Sequence, residues 1–193
     1  MLDPNIVGID EVGRGALAGP VVSAAVALSP HFPAHILKDS KQLSAEKREA
    51  IFSLLLQDCR IGVGIVASEV IDQVNIFQAT LMSMKEAALS LKGSIDLVIV
   101  DGIHAPQWHF PTKTQIKADQ EVPQVSAASI VAKVLRDQMM AVWDQIYPEY
   151  YFSVHKGYGT QRHYNALFEK GILPIHRRSF NLHRQESLFL ETT

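Results

Sequence analysis

Gly8-Ile9-Asp10-Glu11-Val12-Gly13-Arg14-Gly15 is the stretch on which the reading of this chain turns. Ile6 and Val7 lead into it, so an apolar strand runs straight into two adjacent carboxylates. Carboxylates next to a core are costly unless a cation or hydrogen bonds offset them. Two glycines then flank Arg14, giving a loop whose backbone can approach a ligand closely because no Cβ stands in the way. Taken alone, the octapeptide leaves two readings open: a metal-holding Asp10 beside a loop for a nucleic-acid backbone, or a solvated acidic turn. Gly13, Gly15 and Gly19 do not have dinucleotide-loop spacing, and Arg14-Gly15 stands where a P-loop needs Lys and Ser or Thr.

The wider composition narrows the classes. At 193 residues, 47% of them hydrophobic, the chain is long enough for one domain with a substantial core, and disorder is excluded. Cys59 is the single cysteine, so no disulfide forms within the chain, as expected in a reducing compartment. Without an N-terminal targeting pattern or a membrane-length apolar run, the expectation is a cytoplasmic protein with no membrane association. The net charge of −2 gives no global attraction to nucleic acid. Between Tyr151 and Gln185, however, Lys156, Arg162, Lys170, Arg177, Arg178 and Arg184 oppose only Glu169, a local balance of 6 − 1 = +5. An acidic front and a basic tail suggest a metal site beside an anion-binding surface; a solvated basic face is the alternative.

In chain order, strands are expected over Ile6 to Glu11, Pro20 to Leu28 and Arg60 to Ala67, with a helix from Ser44 to about Leu56 between the last two. Ser68 starts a short helix, and Asn75 a longer one to about Leu91. Ile95 to Asp101 is the clearest buried strand, and it ends in an acid, where open α/β sheets tend to place ligands. Thr112 to Lys117 reads as an edge strand reaching Asp119. Val125 to Tyr147 reads as the longest helix, with Ala128, Val131, Leu135, Met139, Val142 and Ile146 on its buried stripe and Lys133, Arg136, Asp137 and Asp144 off it. Met139 and Met140 are expected to fill core, and Ser126 to Ser129 make a narrow first turn that can lie close to the sheet. A last helix runs from Gln161 to Lys170, and Leu188-Phe189-Leu190 sits in a short tail.

Three segments thus end in carboxylates: Asp10-Glu11, Asp101 and Asp119. If packing brings them together, each like-charge pair at about 4 Å costs on the order of 4 kcal/mol at an effective dielectric near 20. A divalent cation relieves that cost. Oxygen-only donors favour Mg²⁺ or Mn²⁺ over zinc, and no serine sits in a nucleophile elbow.

Six motifs, GIDEVGRGALAGPV, LKDSKQLSAEKR, VIVDG, KADQEVPQVSAASIVAKVLRD, HKGYGTQRH and HRRSF, lie in order over nearly the whole chain. Together they resemble bacterial ribonuclease HII. That resemblance implies an α/β protein of the RNase H-like fold: a central five-stranded mixed sheet flanked by helices, with a helical C-terminal region. It implies a single catalytic domain over 1–193, with its core at 1–147 and a C-terminal part at 148–193 that is basic to about 185. It implies an endonuclease, monomeric, that cuts the RNA strand of RNA–DNA hybrids and incises 5′ to single ribonucleotides in duplex DNA. Two Mg²⁺ or Mn²⁺ ions would serve the reaction, which leaves 5′-phosphate and 3′-hydroxyl ends.

By motif, the family's acidic residues fall on Asp10, Glu11, Asp101 and Asp119 as metal ligands. Successive strand residues face opposite ways, so Asp10 and Glu11 do not both point simply at one metal pair. Either the strand is irregular at Glu11, or Glu11 acts through its carbonyl, a water or a neighbouring group. The family's ribose-reading elements fall on Gly13, Arg14 and Gly15 and on Tyr158. Lys41, Lys156, Arg177 and Arg178 are candidate phosphate contacts, with solvated side chains as the alternative. Two further possibilities remain: the related ribonuclease HIII, which usually has an extra N-terminal domain for which a catalytic motif beginning within ten residues of Met1 is expected to leave no room, and a non-catalytic hybrid-binding protein.

Overall fold

In the computed structural model, which describes residues 1–37 and 43–183, the first strand occupies the middle of the sheet. Strand β1 (Ile6–Val12) pairs antiparallel with β2 (Val21–Ala27), and β2 pairs antiparallel with β3 (Arg60–Val66). On its other side β1 runs parallel to β4 (Leu97–Asp101), and β4 parallel to β5 (Thr112–Gln115). The order β3-β2-β1-β4-β5 is the five-stranded mixed sheet expected from the sequence. β2 is buried along its whole length, which is why its residues lack alternation.

Strand parity divides the core. Val7 and Ile9 of β1 and Val98 and Val100 of β4 pack with Met84, Ala87, Ala88 and Leu91 from helix α2 (Ser68–Ser90). The opposite face, with Val22, Ala24 and Val26, is covered by Ile51, Phe52 and Leu55 of α1 (Ala45–Asp58) and by Ala127, Ala128, Ile130 and Val131 of α4 (Pro123–Ile146). Gly8 lets α4 land there. A Cβ on Gly8 would lie 2.2 Å from the backbone of Gln124 and Val125, so the narrow first turn of α4 rests directly on β1.

Local signals behave as their chemistry dictates. Ser44 Oγ accepts from the Lys47 N–H at 3.3 Å and caps α1. α2 breaks at Asn75 (φ 69°), whose side chain accepts from the Gln78 N–H and caps the second stretch, so the two expected helices meet end to end. A one-turn helix α5 (Phe152–His155) precedes α6, which spans the expected Gln161–Lys170. Two expectations fail. The chain does not continue as a strand toward Asp119: Lys117 adopts a left-handed conformation (φ 59°), and Asp119 lies in the short helix α3 (Ala118–Glu121). The buried line of α4 also rotates. Beyond Met140 its partner is no longer the sheet but Tyr150, Phe152, Ala166 and Ile175, so Trp143 and Tyr147 pack there while Val142 and Ile146 are more than half exposed. No helix among the described residues is long and apolar enough to cross a membrane.

Candidate active site

The parallel pairing of β1 and β4 brings the acids together. Ile9 is opposite Val100, so one residue further along Asp10 comes beside Asp101. Both have the parity of the α4-covered face. Together with Glu11, Val12, Arg48, Ser129, Ile130 and Lys133 they line a cleft of about 350 Å³. Asp10 is only 7% exposed, accepts from the Glu11 N–H at 2.8 Å and receives a hydrogen bond from the Ser129 side chain. Its carboxyl is pushed up to about 7, first by burial and then by the charges of Glu11 and Asp101, against the pull of the Ser129 bond.

Glu11 has the opposite parity, and β1 is regular through it, with Glu11 paired to Ser23 and Val12 to Val22. The strand therefore does not bend to aim Glu11 and Asp10 the same way. Glu11 also lines a second pocket of about 430 Å³ with Phe77, Thr80, Met84, His104 and Ile116, and Asp101 borders both. The Glu11 carboxylate accepts from Arg14 Nη1 at 3.1 Å. Burial nevertheless raises its pKa, with Arg14 acting downward and Asp101 upward.

Asp101 Oδ1 accepts from the Ala118 N–H at 2.7 Å, which ties β4 to α3. Asp119 follows immediately and is 3% exposed, but it is not among the residues lining the Asp10–Asp101 cleft. Among the described residues, no three His, Cys, Asp or Glu side chains form a ready-made metal cage. What favours a cation is the donor chemistry: oxygen donors only, around a carboxyl that burial and then the charge of Glu11 push up to about 7.

The glycine loop is strapped to the C-terminal part. Ala16 bridges to Tyr158 and Ala18 to His176, while the Leu17 N–H donates to Gly157 O at 2.8 Å. Two guanidiniums buried to 0% exposure hold the carbonyls of this loop. Arg136 donates to Ala18, Pro20 and Lys156 oxygens at 3.0, 2.9 and 2.8 Å. Arg177 makes two bonds to Gly19 O, 3.0 and 2.9 Å, and one of 2.8 Å to Arg14 O. Burial, and then Arg136, hold Arg177 down to about 9. Gly13 is required here: its φ is +94°, and a Cβ would meet Arg136 Nε at 2.2 Å. Gly15 faces open space. Arg136 also lies over the Tyr158 ring, 5.4 Å from its centroid.

The basic candidates separate. Arg14 and Arg178 are exposed and Lys156 half-buried, whereas Arg177 is no surface phosphate contact: loop carbonyls consume its donors. Arg178 and Ser179 are pinned through their N–H groups to Asp72. Lys41, Arg184 and the Leu188–Leu190 tail lie outside the described residues. Sequence reading missed Arg48, Ser129, Lys133 and Arg136. Ser129 and Lys133 are four apart on α4 and thus share a face, a signal present in the sequence; nothing there revealed that Arg136 would be buried.

A family model described as Ribonuclease HII matches residues 7–183. The chain is 48% identical over 176 residues to the ribonuclease HII of Dichelobacter nodosus, covering 91% of this chain and 93% of that protein. It is 45% identical over 186 residues to that of Coxiella burnetii, covering 96% and 92% respectively. The crystal structure of ribonuclease H2 from Pyrococcus horikoshii superposes with a TM-score of 0.74 at 26% identity, over 92% of this chain and 94% of that one.

Proposed function

We infer the reaction from one premise: the chain belongs to the ribonuclease HII family, and it is a ribonuclease of the H type. We propose that the whole chain acts as one monomeric, cytoplasmic endonuclease on the RNA strand of RNA–DNA hybrids and on DNA duplexes with embedded ribonucleotides. It cuts 5′ to the ribonucleotide and leaves 5′-phosphate and 3′-hydroxyl ends. The observation that supports this most is the side-by-side placement of Asp10 and Asp101 at the ends of parallel strands, where burial, and then the charge of Glu11, push the Asp10 carboxyl up to about 7.

Asp10 and Asp101 would hold Mg²⁺ or Mn²⁺, with Glu11 reaching the site around the end of β1 and Asp119 approaching from α3. Two such ions, when bound, would supply the Lewis acidity that activates water and stabilises the leaving 3′-oxygen. Ser129 orients the Asp10 carboxylate through its hydrogen bond. Lys133, which pairs with Asp137 at 2.8 Å, and Arg48, which donates to Leu43 O at 2.9 Å, line the cleft and would turn to a scissile phosphate bound there. The open backbone at Gly15 and the Tyr158 phenol, strapped together by the Ala16–Tyr158 bridge, would read the ribose and its 2′-hydroxyl. Arg14, Lys156 and Arg178 would contact flanking phosphates.

The test is a DNA duplex with one ribonucleotide, incubated with Mg²⁺, Mn²⁺ or EDTA. Incision 5′ to the ribonucleotide with either ion and none in EDTA is expected; its absence with both ions refutes the proposal. Asp101→Asn should abolish turnover while leaving hybrid binding intact.

A further inference from the structure

Three buried imidazoles outside the catalytic cleft stand behind Tyr158. His155, His163 and His176 are all under 8% exposed. The rings of His155 and His163 stack with centroids 4.4 Å apart, and His163 Nε2 lies 3.0 Å from His176 Nε2. Backbone partners assign every ring proton. The Leu173 N–H donates to His176 Nδ1 at 2.9 Å, so that nitrogen carries a lone pair and the proton of the neutral ring is on Nε2. His176 Nε2–H then donates to His163 Nε2. The His163 proton is therefore on Nδ1, which donates to Tyr158 O at 3.0 Å. By the same logic the Gly157 N–H donates to His155 Nδ1 at 3.1 Å, and His155 Nε2–H donates to Tyr150 O at 2.7 Å.

A second proton on any of the three rings would set one N–H against another, so the cluster is neutral. Burial, with His155 and His176 adding to it, brings His163 down to about 4; burial also brings His176 to about 4, with His155 adding to the fall. The other charged or titratable groups facing the cluster are Asp144 of α4 and Arg162 of α6, which act on His155 in opposite senses, and the Tyr150 phenol.

This chain of bonds ends on the residue proposed to read the ribose. Tyr158 O also accepts from the Thr160 N–H at 2.8 Å, and Gly157 O takes the Leu17 and Ala18 N–H groups from the glycine loop. We propose that His163 is a positioning residue for ribonucleotide recognition: the Leu173–His176–His163 chain fixes the Tyr158 peptide against Ala16–Ala18, the segment that continues the Gly13–Gly15 loop, and with it the direction of the phenol. The inference rests on the ribose-reading role proposed for Tyr158.

Binding in EDTA tests it without chemistry, as the ratio of affinities for a one-ribonucleotide duplex and the same duplex in all-DNA form. His163→Phe should lower that ratio about ten-fold, the effect of losing one well-placed hydrogen bond. His163→Asn, whose amide nitrogen stands where Nδ1 stood, should keep it within about two-fold. Long-range ¹H–¹⁵N NMR of the wild type at pH 7 should show His163 protonated on Nδ1 and His155 and His176 on Nε2. The inference is overturned if a folded His163→Phe keeps the ratio, if His163→Asn does no better than phenylalanine, or if His163 has the other tautomer or a positive charge. Should His163→Phe not fold, the asparagine variant and the tautomers decide. A wild type that binds selectively and does not cut would refute the proposed reaction and leave His163 in its role; one that cuts while His163→Phe keeps full selectivity would do the reverse.

Discussion

Arg177→Met separates the two roles open to an arginine in a basic segment. As a phosphate contact, Arg177 would release about one counterion on binding, and its loss would lower the slope of log affinity against log salt by roughly 0.9. Buried at 0% exposure, it instead supplies three hydrogen bonds to two loop carbonyls and lies 5.1 Å from the Phe180 ring centroid. Methionine fills a similar volume but leaves Gly19 O and Arg14 O without these donors, at about 1–3 kcal/mol for each buried acceptor. Part is offset because a buried charge no longer has to be desolvated, the effect that holds the guanidinium down to about 9. The net expectation is a loss of about 2–4 kcal/mol, or roughly 10 °C in Tm for a chain of this length. Urea unfolding measures the first quantity, and hybrid binding between 50 and 200 mM salt the second. Arg178→Met, at the exposed neighbour, should leave stability within about 0.5 kcal/mol and take the slope down. A stable Arg177→Met with a salt slope reduced by about one would refute the buried-clamp assignment.

Asp10 yields a pH prediction of unusual sign. Its folded pKa of about 7 lies above the ordinary 3.8, so between those values the folded state binds more protons than the unfolded one and stability falls as pH rises, levelling above about 7. Asp10→Asn should therefore melt roughly 5 °C above wild type at pH 8 in EDTA, and the gap should close near pH 4; equal melting at pH 8 would show the carboxyl to be unstrained. Added Mg²⁺ or Mn²⁺ should raise the Tm of wild type and not of Asp10→Asn, as read by thermal shift. Gly13→Ala should cost about 2 kcal/mol or more in urea unfolding, because it combines a positive φ with a 2.2 Å approach to Arg136. Gly15→Ala, with nothing within 4 Å, should unfold like wild type, so any fall in its cleavage rate would report on the substrate.

What the sequence disclosed followed from periodicity and punctuation. The apolar runs of β1 and β4, each closing on an acid, placed Asp10 and Asp101 at strand ends, and parallel pairing did the rest. Ser44 and Asn75 marked helix starts because each side chain accepts a bond from the backbone three residues on, as Thr160 also does at the start of α6. Residues with decisive partners far away in the chain were illegible. Arg136 looked like a polar position off the α4 stripe, yet its carbonyl partners are 116 and 118 residues earlier. Arg177 looked like a surface cation in a basic tail, and its acceptors are 158 and 163 residues away. Asp119 was misplaced for a local reason: one left-handed residue, Lys117, turns an edge strand into a helix start, and lysine gives no hint of positive φ.

The parity of β1 recasts the role of adjacent acids at a strand end. A regular strand cannot send Asp10 and Glu11 to one side, and β1 is regular through Val12. The two carboxylates still interact, since each acts electrostatically on, or is acted on by, Asp101 at the end of the neighbouring strand. Asp101 borders both the cleft under α4 and the pocket under α2, so the sheet edge at the ends of β1 and β4 is a shared rim between two cavities. Asp10 is held inside one of them by Ser129, whereas Glu11 is held at the rim by Arg14, which extends from the loop that Arg177 clamps. The acidic cluster and the glycine loop are therefore mechanically coupled through Glu11 and Arg14. Under the proposed function, a nucleic acid that drew Arg14 toward a phosphate would remove the charge that lowers the Glu11 pKa, and would leave that carboxylate in greater need of a cation.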